Sequence, residues 1–208
     1  MTYAPTNVEQ PDFECHYPVK TEKDLDKFFD EFAEIHLKMM KKGKSTHLAP
    51  WIYLVTGIEQ DGKPVIVEAS PMLRQIMDDA SSRYPEDDRA PVEAMWFFVH
   101  TISKSMKPVA ILLQHQGWQL HGEAAENASM ETRPKHHKDR EHVMLSQMVA
   151  LNREGQLYKT YTQSDVMEET NKGIFLKYGK KVRMDQLANE RSDLSFSRFE
   201  EAAIWAKN

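Results

Sequence analysis

The chain has 208 residues, 40% hydrophobic and 28% charged, with one cysteine and a formal charge of −5. That length buries a core without disulfide or metal staples. The acidic balance argues against a surface given over to nucleic acid, and the lone Cys15 excludes a disulfide framework and any multi-cysteine zinc site. No apolar run approaches the length of a membrane helix, and the opening MTYAPTNVEQ lacks a leader pattern. The expectation is a cytoplasmic protein. Eight glycines leave no glycine-rich phosphate cradle, and twelve methionines read chiefly as filling for an irregular core.

Residues 1–20 carry Pro5, Pro11 and Pro18 and little periodicity, which predicts an extended arm. Its Tyr3, Phe13 and Tyr17 can pin it to its own domain or to a neighbour. A helix follows. Thr21 and Asp24 form a variant capping box, and Leu25, Phe28, Phe29, Phe32, Ile35, Met39 and Met40 recur at helical steps. Gly43 is placed to end it.

Two strands, Trp51 to Gly57 and Pro64 to Ala69, flank the turn signal Asp61-Gly62. The first is apolar on both faces. Ser70-Pro71 opens a short helix with Met72, Leu73, Ile76 and Met77 on one face, and 81–89 is a polar loop. A second long helix runs from Pro91 to Met106, with Val92, Met95, Trp96, Val99 and Ile102 as its stripe and Pro108 as its stop. Val109 to Leu120, Val143 to Leu151 and Gln156 to Gln163 read as three further strands. The last 40 or so residues hold a hairpin or turn around Gly173 and Gly179, then a terminal helix opened by the capping box Ser197-x-x-Glu200.

The predicted fold class is α+β. A mostly antiparallel five-stranded sheet carries two long helices and one short one, with the helices on one face. Residues 1–20 form the arm, 21–165 the core domain, and 166–208 a C-terminal extension ending in a short helix.

The motifs are incomplete. Gly43-Lys44-Ser45 matches the end of a phosphate loop, but Lys38 stands where the first glycine belongs and the segment follows a helix. The stretch from His121 to His142 gathers imidazoles and carboxylates, and His121, His136, His137 and His142 are the candidate ligands for a divalent metal. Its spacings match neither the zincin pattern nor, with one cysteine, the zinc-deaminase pattern. Arg133, Lys135, Lys138 and Arg140 form a local basic patch, the candidate phosphate contacts. No aromatic interrupts 135–142, so the run lacks the stacking platform usual in single-strand binders. His36 and His100 sit beside apolar stripes and read as core-edge residues, and Cys15, in an arm, is poorly placed for a catalytic thiol. No serine has a nucleophile elbow.

The stretch from Glu93 to Gly155 runs through Trp96-Phe97-Phe98, Gln116-Gly117-Trp118, Arg133-Pro134, Asp139-Arg140-Glu141 and Asn152-Arg153-Glu154-Gly155. It resembles small α+β proteins of bacteria and their phages whose activity is unknown. The resemblance covers about 60 residues and carries over no site residue; it implies a bacterial or phage accessory protein, in the host cytoplasm or a virion.

These readings lead to a non-enzymatic interaction or assembly protein, binding a protein partner or itself, with Tyr3, Phe13, Tyr17, Phe196, Phe199 and Trp205 as anchors. Two alternatives stand beside it. One is a metal-dependent hydrolase built on 121–142; the other is a phosphate- or nucleic-acid-binding accessory. No cofactor other than that metal is implied.

Overall fold

The computed structural model describes residues 13–41, 50–120, 138–170, 173–188 and 197–206, and of 36–41, 168–170 and 173–181 the backbone alone. Four helices are described: α1 (Glu22–Lys41), α2 (Ser70–Arg83), α3 (Ala90–Met106) and α4 (Arg198–Ala203). They pack on strands β1 (Trp51–Ile58), β2 (Pro64–Glu68), β3 (Ala110–Gln119), β4 (Glu141–Leu151), β5 (Leu157–Thr170) and β6 (Gly173–Leu187). The sheet has the order β2-β1-β3-β4-β5-β6, and every neighbouring pair is antiparallel. No described helix is long and apolar enough to cross a membrane.

The α+β antiparallel architecture is as expected, with two differences. There is a sixth strand, because β5 runs through residue 165 and turns back as β6 within the segment expected to be an extension. The helices also lie on both faces rather than one. Strand β1 explains this directly. Trp51, Tyr53 and Val55 point to one side and Ile52 and Leu54 to the other, all 3% exposed or less. A strand apolar on both sides needs cover on both.

On the first side, Phe28, Phe29, Phe32 and Ala33 of α1 cover Trp51, Tyr53, Val55, Leu112, Met148 and Tyr161. The Thr21 hydroxyl accepts from the Asp24 amide and the Asp24 carboxylate accepts from the Thr21 amide, so the variant box caps α1. On the second side, α2, α3 and α4 cover Ile52, Leu54, Ile111, Leu113, Val149 and Leu151. The Ser70 hydroxyl, at the start of α2, exchanges hydrogen bonds with the Ile52 backbone and ties α2 to β1.

The described aromatics of the arm and the tail pack inside the fold or at its margin. Phe13, expected as a partner anchor, is 6% exposed and packs 5.2 Å from Phe28 and 5.6 Å from Tyr53, ring centre to ring centre. Tyr17 is half-buried under the Lys27 ammonium, 3.7 Å above its ring. Phe199 is buried against Trp96. The ring of Trp205 lies on Gly155, where an added Cβ would meet it at 2.3 Å and where φ is +79°, and its indole N–H donates to the Pro108 carbonyl. These four side chains are therefore core or core-edge groups, Phe13 and Tyr17 on the α1 side of the sheet and Phe199 and Trp205 on the other. Tyr3 and Phe196 lie outside the described residues.

The Phe13→Ala variant should lose about 3–5 kcal/mol, the usual cost of emptying a buried phenylalanine site. Urea unfolding reads this as a lowered midpoint; an unchanged midpoint would mean the arm does not belong to the core.

Candidate functional site

The two helical layers do not cover the sheet equally. The second layer reaches β1, β3, the Leu151 end of β4 and Leu157 at the start of β5. Further along β5 that side carries Thr160 and Thr162, half-buried, and Ser164 and Val166, buried, and on β6 it carries Val182, Met184 and Gln186, exposed. Val182 is 44% and Met184 59% exposed. Among the described residues β6 is also the last strand of the sheet, so its outer edge has no strand beside it.

The first side of this half is held by charge. Lys159 has 7% of its side chain exposed and donates to Glu22 at 2.7 Å and to Asp26 at 2.9 Å, both on α1. The Tyr161 hydroxyl donates to the same Asp26 oxygen at 2.8 Å. On β6, Arg183 pairs with Asp30 of α1 and with Asp185 of its own strand, its guanidinium lying 4.7 Å from the Phe29 ring centre. An ammonium buried in a strand needs such partners, since an unpaired buried charge costs far more than a pair returns.

These contacts fix protonation. Burial opposes ionisation of Asp26, but the hydrogen bonds from Lys159 and Tyr161 outweigh it and hold the carboxyl below its usual range. Burial likewise disfavours the Lys159 cation, yet Glu22 and Asp26 raise its pKa well above the ordinary lysine value. His115, inside β3, is pushed the other way: burial lowers its pKa and keeps the imidazole neutral.

A second cluster lies at the far end of β3 and β4. Trp118 and His142 are directly opposite in the ladder, with rings stacked 4.6 Å apart at 25°. The Arg140 guanidinium sits 4.9 Å from the Trp118 ring centre, Trp118 is 40% exposed, and Lys138 is exposed nearby in sequence. So β3 supplies the aromatic that the run 135–142 lacks. The pairing follows from counting back along both strands from the connection they share.

Of the metal candidates, His142 is in this cluster, and His121, His136 and His137 lie outside the described residues, as do Arg133 and Lys135. Among the described residues no three His, Cys, Asp or Glu side chains are grouped to hold a metal. A groove of about 270 Å³ between the arm, the start of α1 and β1 is lined largely by apolar residues, with Lys20 and Glu22 at its mouth. Glu22 is already engaged by Lys159.

Sequence reasoning did not find Val182, Arg183, Met184 and Asp185. Their signal was the alternation itself, Val182, Met184 and Gln186 on one face and Arg183, Asp185 and Leu187 on the other. Comparison of the chain with protein-family models, curated proteins and solved structures finds no match.

Asp26→Asn should cost about 1–3 kcal/mol, because it weakens two hydrogen bonds at once and leaves Lys159 with less compensation. Glu22→Gln, at a half-exposed carboxylate, should cost about 0–1 kcal/mol. The sign of the pH response follows from the same groups. A lowered carboxyl pKa gives stability that is lost as pH falls through the folded value, and a lowered histidine pKa gives stability lost as pH falls through about 6.5. The urea midpoint of the wild type should therefore fall on acidification from pH 7, and less steeply in Asp26→Asn. Equal slopes would remove Asp26 from this role.

Proposed function

We propose that this chain is a non-enzymatic interaction protein that works by association through the β6 end of its sheet. The observation that carries the reading is the unequal cover: α1 braces one face of β6 through Arg183, while Val182 and Met184 stand exposed on the other, beside an edge that among the described residues has no strand on it. Contiguous apolar surface on a sheet with an open edge is the usual mark of an association surface. Phe97 is more exposed, at 71%, but the residues one helical turn away are Glu93, Ala94, His100 and Thr101, so its own helix puts no large apolar side chain beside it. Phe13, Tyr17, Phe199 and Trp205 pack on the core and are not the anchors of this reading.

The double variant Val182→Asp, Met184→Asp tests this. Sedimentation velocity should find the wild type associating as concentration rises into the micromolar range, and the variant remaining monomeric with an unchanged circular dichroism spectrum. A wild type that stays monomeric throughout sinks the reading.

A second reading is favoured by one specific observation, the stack of Arg140, Trp118 and His142 beside Lys138. Cation and aromatic together suit the phosphate and base of a single-stranded nucleic acid. Quenching of tryptophan fluorescence by an oligonucleotide, lost in Arg140→Ala and weakened about tenfold or more between low and moderate salt, would support it. Quenching indifferent to salt would count against phosphate contact. The metal-dependent hydrolase has one described ligand, His142, and no such supporting geometry.

A further inference from the structure

The outer edge of β6 is complementary to itself. We propose that β6 pairs antiparallel with the β6 of a second copy of this chain, about a two-fold axis at Met184, joining two six-stranded sheets into one. This rests on the association reading above and names its partner and register.

The choice of edge comes first. At the other end of the sheet, β2 has five residues, starts at Pro64, and pairs with β1 across a bulge between Val55 and Gly57. Pro64 has no N–H to donate. By contrast, residues 181–187 of β6 pair with 159–165 of β5 without interruption, leaving a straight, regular edge of seven residues. The charged contacts from Lys159 and Arg183 to α1 hold that edge in place.

Register follows from charge. If both copies keep their α1 layers on the same side, residues facing each other across the axis must belong to the same face of the sheet. An axis at Arg183 sets two arginines directly opposite, and one at Asp185 sets two aspartates opposite; like charges so placed are destabilising. An axis at Val182 brings Arg183 opposite Lys181, and one at Gln186 carries Arg183 past the strand end. With the axis at Met184, Arg183 of each copy faces Asp185 of the other, giving two cross-strand ion pairs by symmetry. On the opposite face the two Met184 side chains stand side by side and each Val182 faces Gln186 of the other copy, so the exposed side chains meet across the seam and shield part of their apolar surface. Arg183 and Asp185 are already ordered by Asp30 and by each other, which lowers the entropic cost of pairing.

Cross-linking tests the axis. Cys15, the sole natural cysteine, is buried, so the full-length chain can carry a single accessible thiol. Met184→Cys should form an intermolecular disulfide under mild oxidation, since directly opposed strand residues lie within the roughly 4.4–6.8 Å between Cα atoms that the bond requires. Val182→Cys should not, because the two thiols are then about 13 Å apart along the strands. Cross-linking at 182 in preference to 184 overturns the register.

Charge exchange tests it independently of oxidation. Arg183→Glu alone and Asp185→Lys alone each place like charges across the axis and should raise the dimer dissociation constant about tenfold or more. An equimolar mixture of the two variants restores opposite charges at both positions and should dimerise again as a heterodimer, which a simple folding defect would not allow. A mixture that stays monomeric while each variant melts like the wild type overturns the pairing. A wild-type dimer that fails both tests refutes this axis alone, whereas a wild-type monomer refutes association itself.

Discussion

Lys159 carries a charge in the body of a strand with almost no exposed side chain, and it is tolerable there only because Glu22 and Asp26 reach it from α1. That constraint organises the far half of the sheet. Tyr161 shares Asp26, and Arg183 repeats the arrangement one strand further out through Asp30. Helix α1 thus joins the aromatic core over β1 and β3 to β5 and β6, of which the second helical layer meets only Leu157 at the start of β5. Without it, β6 would be a strand with one neighbour and no cover, and such strands are marginal in water. The interaction is polar because its position is peripheral: at the sheet margin, a paired charge can be half solvated, and its desolvation cost is smaller than in a closed core.

The same arrangement accounts for the asymmetry on which the proposed association depends. The layer of α2, α3 and α4 goes no further than Leu157 of β5, so β6 is braced by α1 on one face and leaves Val182, Met184 and Gln186 exposed on the other. The protein fixes this half firmly enough to present a regular edge, yet leaves Val182 and Met184 exposed. Edge strands in soluble proteins are commonly blunted by short length, proline or a bulge. β2 shows the first two, and the bulge lies on its partner β1; the stretch 181–187 of β6 shows none of these.

Much of the fold was legible in the sequence because local signals agreed with the tertiary outcome. The Thr21-Asp24 box, the apolar stripe of α1, the Asp61-Gly62 turn and the Ser197-Glu200 box each act within a few residues, and each is found where expected. Gly62 has the positive φ that its turn demands, +94°. What the sequence concealed is non-local. Strand β6 alternates over 182–187, but Lys177, Gly179, Lys180 and Lys181 interrupt the pattern just before it and hide the strand as a whole. The two-sided cover was implied by β1 but lost in a one-layer reading. Phe13, Tyr17, Phe199 and Trp205 looked like anchors because an aromatic in an irregular segment has no periodicity to betray which surface it covers. Trp118 escaped notice as a neighbour of Arg140 and His142 because 24 positions separate it from His142 in the chain, and only the β3 and β4 ladder makes them adjacent.

The proposed assembly requires β6 to be held by α1 from one side and open to a second copy at its edge. Amide hydrogen exchange by NMR, residue by residue over 182–187 and at two protein concentrations, tests this most directly. Amides that bond to β5 should be protected at both concentrations, and the alternate amides, pointing outward, only at the higher one. Outward amides that exchange equally fast at both concentrations would contradict the account.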